Sequence, residues 1–201
     1  PRLRGQKNGG SLGRETYGDS MTANDEAGSA LEGNLTRTAD NYDAVPYDSR
    51  PIFRAHPARL AAMAHLFGID APDPAAARVL ELGCAAGGNL IPMAMFNPGM
   101  RCVGIDIGKR QIEDGQRRVA EAGLTNVELI HGSITEIGPD LGEFDYIVTH
   151  GVYSWVPHEV REAILAVCKR HLSPDGIAFV SYNVLPGWRM LQPLRDALRI
   201  M

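Results

Sequence analysis

The chain has 201 residues, which is enough for one domain or for one domain with a tail. Its 24 acidic and 20 basic residues give a formal net charge of -4, so the composition lacks the basic excess of most nucleic-acid-binding proteins and no nucleic-acid partner is predicted. No apolar run approaches the ~20 residues that a membrane span requires, so no membrane span is predicted either.

Residues 1–40 are rich in glycine, serine, threonine, asparagine and charged residues, with few large apolar side chains. This composition predicts a disordered or flexible tail, because it buries too little surface to offset the entropy of ordering. No apolar stretch follows the basic residues near the start, so no signal peptide is predicted. Cys84, Cys102 and Cys168 are far apart and form no CxxC pair, which predicts reduced core thiols in a cytoplasmic protein.

Residues 41–77 are predicted to form an N-terminal lid followed by a helix. Apolar residues recur at helical spacing in the second half of this region, at Leu60, Met63, Ala64 and Phe67. Gly68 marks the predicted end of the helix.

Residues 78–201 are predicted to form the core, in which short apolar segments alternate with helical ones. Strands are predicted over residues 78–82, 102–105, 127–130, 144–149 and 177–182, with a turn at SPDG before the last. Helices are predicted over residues 89–96, 109–122, 158–171 and 193–201, and the third of these should turn Ile164, Leu165, Val167 and Cys168 inward. The alternation predicts an α/β fold, a doubly wound, Rossmann-like and mostly parallel sheet with helices on both faces. Such sheets often have one or two more strands, so we expect the last strands to be missing and the chain to be part of a longer protein.

The stretch VLELGCAAGGNL, Val79–Leu90, has an apolar strand, a turn of small residues and the start of a helix. We call residues 83–88 the glycine-rich turn. Gly83, Ala85 and Gly88 approximate the G-x-G-x-x-G fingerprint of dinucleotide sites, but Ala85 puts a methyl group where the backbone should approach a pyrophosphate. Glu81 would repel a pyrophosphate and attract the ammonium of S-adenosylmethionine (SAM). The turn therefore favours SAM, and an NAD(P)-dependent oxidoreductase remains the alternative.

Asp106 ends the second predicted strand, where a carboxylate can accept hydrogen bonds from both ribose hydroxyls of either cofactor. Ile107 and Ile134 are expected to sandwich the adenine, and Ser133 is expected to reach its edge. The alternatives are an Asp106 that caps the next helix and isoleucines that belong to the core. The predicted cofactor-binding residues are Glu81, Gly83, Cys84, Ala85, Gly87, Asn89, Asp106, Ile107, Gln111, Gly132, Ser133, Ile134 and His150.

The fourth predicted strand runs into HGVYSWV, which contains His150, Tyr153 and Trp155. A polar and aromatic rim at the carboxyl end of a parallel strand predicts a pocket for the methyl acceptor. Aromatic surroundings also suit a sulfonium cation. The alternative for Tyr153 and Trp155 is packing in the core.

Several runs of the sequence resemble a known family. LELGCAAGGN, GID and FDYIV resemble the motifs of class I SAM-dependent methyltransferases. The longer runs YDAVPYDSRPIFRAHPARLA, HGVYSWVP and SYNVLPGW resemble bacterial methyltransferases with a C-terminal regulatory domain. That subfamily includes protein-lysine methyltransferases acting on a bacterial outer-membrane protein, and the resemblance extends from Tyr42 to the end. It implies a regulatory domain beyond Met201. Family members often have Asp where Ser133 stands, which implies weaker adenine recognition here.

The resemblance implies methyl transfer from SAM to an acceptor nucleophile on a protein lysine or a small molecule. The implied catalytic residues are Tyr153 and Trp155, as walls that desolvate the amine, and His150 or Tyr47, which orient the amine or relay its proton. Residues 42–56 are expected to fold over the cofactor, although Tyr47 and His56 each have a purely local alternative. No metal-ligand cluster is predicted. A homo-oligomer and a non-catalytic SAM-binding module remain open.

Overall fold

The computed structural model describes residue 33 and residues 49–184, 186–187 and 196–197. All of these except Gly33 lie in a unit that extends from Ala39 to Met201. The predicted tail (apart from Gly33), Tyr47 and the predicted C-terminal helix (apart from residues 196–197) lie outside the described residues. Within the described part, no helix is long and apolar enough to cross a membrane.

The strands form one five-stranded sheet in the order β3-β2-β1-β4-β5, and all the pairs are parallel. The bounds are β1 Arg78–Leu82, β2 Arg101–Asp106, β3 Val127–His131, β4 Phe144–Thr149 and β5 Leu172–Val180. Because parallel strands end at the same edge of a sheet, the loops after β1, β2, β3 and β4 lie along that edge. The predicted α/β fold with a mostly parallel sheet is confirmed.

The α-helices are α1 Pro57–Leu66, α2 Leu90–Phe96, α3 Lys109–Glu121 and α4 His158–His171. α1 begins after His56, whose Nδ1 accepts a hydrogen bond from the backbone N–H of Ala58 at 3.2 Å. It ends before Gly68, which adopts the left-handed conformation (φ 75°) that often terminates helices. The predicted bounds of α2, α3 and α4 agree with the structure to within one residue.

The last strand differs from the prediction. SPDG was expected to be a turn before a strand over residues 177–182, but β5 extends from Leu172 to Val180, so both its start and its end lie earlier than predicted. Phe144 pairs with Leu172 and Tyr146 with Ile177, so the residues between these β5 partners form a bulge in which Asp175 has φ 61°. Proline and glycine signal a turn locally, and only the pairing with β4 keeps the segment in the sheet.

The core on one face of the sheet joins strand residues such as Val79, Cys102, Tyr146 and Val148 to buried residues of α1, α2 and α3. The predicted inward face of α4 is partly wrong. Ile164 and Val167 are buried, but Leu165 is 45% exposed because the buried stripe follows Val160, Ile164, Val167 and His171. In α1, Leu60 and Ala64 are buried, whereas Met63 and Phe67 of the predicted stripe are exposed.

Candidate cofactor and acceptor site

The glycine-rich turn leaves β1 through three residues in the left-handed region: Gly83 (φ 77°), Ala85 (φ 49°) and Gly87 (φ 72°). The N–H groups of Gly83 and Cys84 both donate to the carbonyl of Ile105 on β2, at 2.8 and 3.2 Å. A left-handed conformation costs a non-glycine residue about 1–2 kcal/mol. At Ala85 this cost is offset locally, because its N–H donates to the Asp106 carboxylate at 2.8 Å.

Asp106 connects three parts of the predicted site. One carboxylate oxygen accepts from Ala85, and the other accepts from the Gly108 N–H at 2.8 Å, directly before α3. Its backbone carbonyl accepts from Gly132 at 3.0 Å, which brings the loop after β3 to the same place. The contact with Gly108 agrees in part with the capping alternative. Each carboxylate oxygen can accept more than one hydrogen bond, so ribose binding stays a prediction.

The residues predicted to hold the adenine lie in the loops after β2 and β3. Ile107 and Ile134 are half-buried, and neither belongs to the buried cluster of the core. Ser133 begins a 3₁₀ turn over Ile134–Glu136, where its Oγ accepts from the Thr135 N–H at 3.3 Å and lies 2.7 Å from the Thr135 hydroxyl. Ser133 therefore has a local capping role beside its predicted contact with the adenine edge.

Glu81 is a buried carboxyl group beside the glycine-rich turn. It is 3% exposed, and its Oε1 accepts a hydrogen bond from the Asn89 amide at 3.0 Å. Its Oε2 is buried and has no hydrogen-bond partner among the described residues. Burial raises the pKa of Glu81 to about 8, the Asn89 hydrogen bond lowers it, and the nearby Asp106 charge raises it. A buried acceptor without a partner is costly, so a ligand that brings a cationic donor would fit here.

The described part of the N-terminal region lies against the same turn. We call residues 49–56 the N-terminal segment. The Ser49 hydroxyl accepts from the Gly88 N–H at 2.9 Å, and the Ile52 N–H donates to Asn89 Oδ1 at 2.8 Å. A Cβ on Gly88 would overlap the backbone of Ser49. Ser49 was not predicted as a site residue, and only the second glycine of the GGN run signals such a close approach.

Gln111, in the first turn of α3, is 4% exposed, and its Oε1 has no partner among the described residues. Its side chain lies near Gly108, which follows Asp106 closely in sequence. Gln111 is therefore placed beside the ribose end of the predicted cofactor site, while its contact with the cofactor stays a prediction.

The predicted acceptor residues lie on the loop after β4, and a second loop joins them. We call residues 150–155 and 181–183 the acceptor rim. Gly151 N–H donates to the Ser181 hydroxyl at 3.0 Å, and Asn183 N–H donates to the Ser154 hydroxyl at 2.8 Å. The rings of Tyr153 and Tyr182 are 6.3 Å apart and tilted by 57°. Tyr182 was missed as a site residue, because only the tertiary fold brings the two loops together.

Three aromatic residues of the rim, Tyr182 among them, lie at the surface, and Tyr182 is 64% exposed. Trp155 is 54% exposed, which contradicts the alternative that it packs in the core. His150 stacks on Phe179 with ring centroids 6.3 Å apart. Partial desolvation and the Arg54 guanidinium lower the pKa of His150, so the imidazole is neutral at pH 7.

The acceptor rim touches the cofactor turn. The side chain of Val152 fills the space that a Cβ on Gly83 would need. The structure therefore brings together the glycine-rich turn, Asp106 and the acceptor rim. His56 caps α1, which agrees with the alternative that its role is purely local. Among the described residues, no group of three or more His, Cys, Asp or Glu side chains is placed to hold a metal ion.

Known proteins share this sequence and fold. The family model described as "Methyltransferase domain" matches residues 79–176. An uncharacterized protein of Rickettsia prowazekii is 51% identical over 157 residues, covering 78% of this chain and 28% of the relative. A second uncharacterized protein of that organism is 42% identical over 158 residues, covering 79% of this chain and 63% of the relative.

A solved structure, PKMT2 from Rickettsia typhi in complex with AdoHcy, is 43% identical, with a TM-score of 0.73, over 77% of this chain and 30% of that one. This chain thus spans less than two thirds of the length of these relatives. The matched domain, the fold and the AdoHcy complex confirm the prediction of SAM rather than NAD(P). Residues 79–176 thus form a class I SAM-dependent methyltransferase domain, with SAM as the cofactor.

Proposed function

We propose that this protein transfers the methyl group of SAM to the side-chain amine of a lysine in a protein substrate. The observation that carries the proposal is the contact between two half-sites, the glycine-rich turn with its unpartnered Glu81 oxygen and the aromatic acceptor rim. The choice of lysine is supported by the resemblance to protein-lysine methyltransferases and by the likeness to PKMT2.

The proposal that the first half-site binds SAM is supported by the charges of its side chains and by the shape of its backbone. Glu81 Oε2 is the buried acceptor that the ammonium of SAM would meet, and Asp106 is the carboxylate that the ribose hydroxyls would meet. Bound SAM supplies an electrophilic methyl group on a sulfonium. This chain would bind and orient it, because most of the barrier in such a transfer is lowered by alignment of the reacting atoms.

The proposal that the second half-site binds a lysine is supported by the side chains of the acceptor rim. A lysine must lose a proton before its nitrogen can attack, and aromatic walls favour the neutral amine by excluding water. Tyr153 and the 64% exposed Tyr182 would form such walls once the substrate covers them, and the neutral His150 imidazole can take the proton. The N–CH₃ bond would form as the S–CH₃ bond breaks, and the electron pair of that bond would stay on sulfur.

We also propose a cytoplasmic location, which is supported by the free state of Cys84, Cys102 and Cys168. We further propose that the methyl acceptor is a protein and that the chain forms a homo-oligomer.

The first test is calorimetric titration of the chain with SAM, with NAD and NADP as parallel ligands. We expect saturable binding of SAM and no heat from either dinucleotide. A dinucleotide that binds while SAM does not would overturn the proposal.

The second test measures methylation of lysine-containing protein substrates by the wild type and by Tyr182→Ala. We expect kcat/KM to fall about tenfold or more, with the SAM Kd nearly unchanged, since Tyr182 belongs to the acceptor half. Phe96→Ala is the matched control, because Phe96 is a 79% exposed aromatic residue at the far end of α2. SAM binding without lysine methylation would indicate either a non-catalytic SAM-binding module or a methyl acceptor other than lysine.

A further inference from the structure

Asn89 joins two parts of the site that are distant in sequence. It directly precedes α2 and is 3% exposed. Its Nδ2 donates to Glu81 Oε1 at 3.0 Å, and its Oδ1 accepts from the Ile52 N–H at 2.8 Å. One buried amide therefore connects the end of β1 to the N-terminal segment.

The Ile52 contact fixes the direction of this amide. A backbone N–H can only donate, so it requires the Asn89 oxygen and turns Nδ2 toward Glu81. The donor then occupies Oε1 and leaves Oε2 as the acceptor for a cation. The N-terminal segment is held on the turn a second time, by the bond between Ser49 and Gly88.

We propose that Asn89 is a positioning residue that couples the seating of the N-terminal segment on the glycine-rich turn to the ion pair between Glu81 and the cofactor ammonium. The inference rests on the proposed function, because it takes SAM as the source of the cation. An ammonium at Oε2 favours the carboxylate, which makes the Asn89–Glu81 bond charge-assisted. The polarised amide then accepts more strongly from Ile52, so SAM tightens the segment and the seated segment favours SAM.

Three other titratable groups act on or near Glu81. The Asp106 carboxylate at the end of β2 raises the pKa of Glu81. Burial raises the pKa of Cys84 well above its ordinary value and that of Cys102 to about 12, so both thiols stay neutral. The hydrogen bond from the Asn89 amide, by contrast, lowers the pKa of Glu81. Its loss should therefore change how many protons SAM binding releases.

The experiment uses SAM with the full chain, as wild type, Asn89→Ala and Asn89→Asp. Proton release on SAM binding is measured at pH 8 by calorimetry in buffers of different ionisation enthalpy. A Glu81 pKa of about 8 gives release of about half a proton from this group, and a pKa about one unit higher gives about 0.9. Asn89→Ala should release about 0.4 proton more than the wild type, since the ligand's own titration is common to both. Asn89→Asp adds a carboxyl that titrates together with Glu81, so it is used only in the exchange measurement.

The second readout is hydrogen exchange of the Ile52 amide with and without SAM. We expect SAM to slow this exchange about fivefold or more in the wild type and less than about twofold in Asn89→Ala. Asn89→Asp keeps an acceptor for Ile52 but replaces the amide donor to Glu81 by a carboxyl, so SAM should slow the Ile52 exchange less than in the wild type. This variant decides alone if Asn89→Ala does not fold. The matched control is Asn126→Ala, which removes another asparagine amide, one that donates to the backbone carbonyls of Ala94, Asn97 and Met100 away from the site.

The outcomes separate the two proposals. If the wild type does not bind SAM, the proposed function fails and this inference fails with it. If it binds SAM but Asn89→Ala behaves like Asn126→Ala in either readout, or Asn89→Asp behaves like it in hydrogen exchange, the coupling is wrong and the proposed function stands.

Discussion

Glu81 is buried in its protonated, neutral form, and this should make the stability of the SAM-free protein depend on pH. The unfolded chain loses this proton near the ordinary pKa of 4.5, whereas the folded protein keeps it until about pH 8. The contribution of Glu81 to stability is therefore full below pH 4.5 and falls as the pH rises toward 8. Glu81→Gln keeps the acceptor for Asn89 but never becomes charged.

We expect Glu81→Gln to be more stable than the wild type by about 1–3 kcal/mol at pH 8.5 and nearly equal to it at pH 4.5. Urea unfolding without SAM at the two pH values measures this difference. Glu113→Gln, an exposed change on α3, is the control and should show no such pH dependence. A difference that is the same at both pH values would contradict the burial argument.

Asp106 provides a second prediction at the level of single residues. Asp106→Ala should cost about 1.5–3 kcal/mol in SAM affinity, because it removes charge-assisted hydrogen bonds to the ribose. It also leaves the N–H groups of Ala85 and Gly108 without their acceptor, so the turn loses support. Calorimetric titration measures the effect. Ser133→Ala is the comparison, since it removes a hydroxyl but no charge, and an unchanged SAM affinity in Asp106→Ala would refute the assignment.

Single site residues were predictable where they lie at the end of a strand that the sequence itself indicates. Glu81 and Asp106 lie at the carboxyl ends of successive strands, and the structure places both beside the glycine-rich turn. Ser49 and Tyr182 were not predicted, because their partners Gly88 and Tyr153 are far away in sequence. Their own neighbours in the chain contain no pattern that indicates these contacts.

At the level of elements, Gly115 sets how closely α3 approaches the turn. A Cβ at this position would lie 2.5 Å from Leu129 Cδ1 and 2.8 Å from the Ala86 carbonyl oxygen. Glycine to alanine within a helix normally stabilises by up to about 1 kcal/mol through helix propensity. Here we expect Gly115→Ala to lower the free energy of unfolding by about 1–3 kcal/mol, because α3 must move away from Leu129 and from the backbone of Ala86.

Urea unfolding measures this change. Gly138→Ala is the matched control, since nothing lies within 4 Å of its added Cβ, and it should stay within about 0.5 kcal/mol of the wild type. A stabilised Gly115→Ala would show that α3 can shift freely away from the turn.

The elements themselves were largely predictable. Apolar runs predicted α2, α3, α4 and the first four strands to within one residue, because short-range patterns determine them. β5 was predicted too short, since Pro174 and Gly176 read as a turn when its neighbour β4 is not known. The outward position of Leu165 depends on how α4 is rotated against the sheet, which its apolar composition alone does not define.

At the level of the whole molecule, the site draws on most of the sheet. The predicted contacts of SAM come from the loops after β1, β2, β3 and β4, and the N-terminal segment covers part of the turn. SAM at 100 times its Kd should therefore raise the free energy of unfolding by about 2.7 kcal/mol in a single transition. Differential scanning calorimetry with and without SAM measures this, with NAD as the control ligand. Two transitions, of which SAM shifts only one, would contradict a shared cooperative unit.

The parallel sheet was predictable from the alternation of strands and helices, but the strand order was not. The central position of β1, between β2 and β4, has a consequence for folding during synthesis. Val79 pairs with Tyr146 and Glu81 with Val148, so each pair is separated by about 67 residues. At about 5–20 residues per second, a ribosome needs roughly 3–13 s to deliver β4 after β1. Throughout that interval at least one edge of β1 is unpaired, although Val79, Leu80 and Leu82 of this strand are fully buried in the folded protein. A nascent chain at this stage exposes apolar surface to which a chaperone can bind.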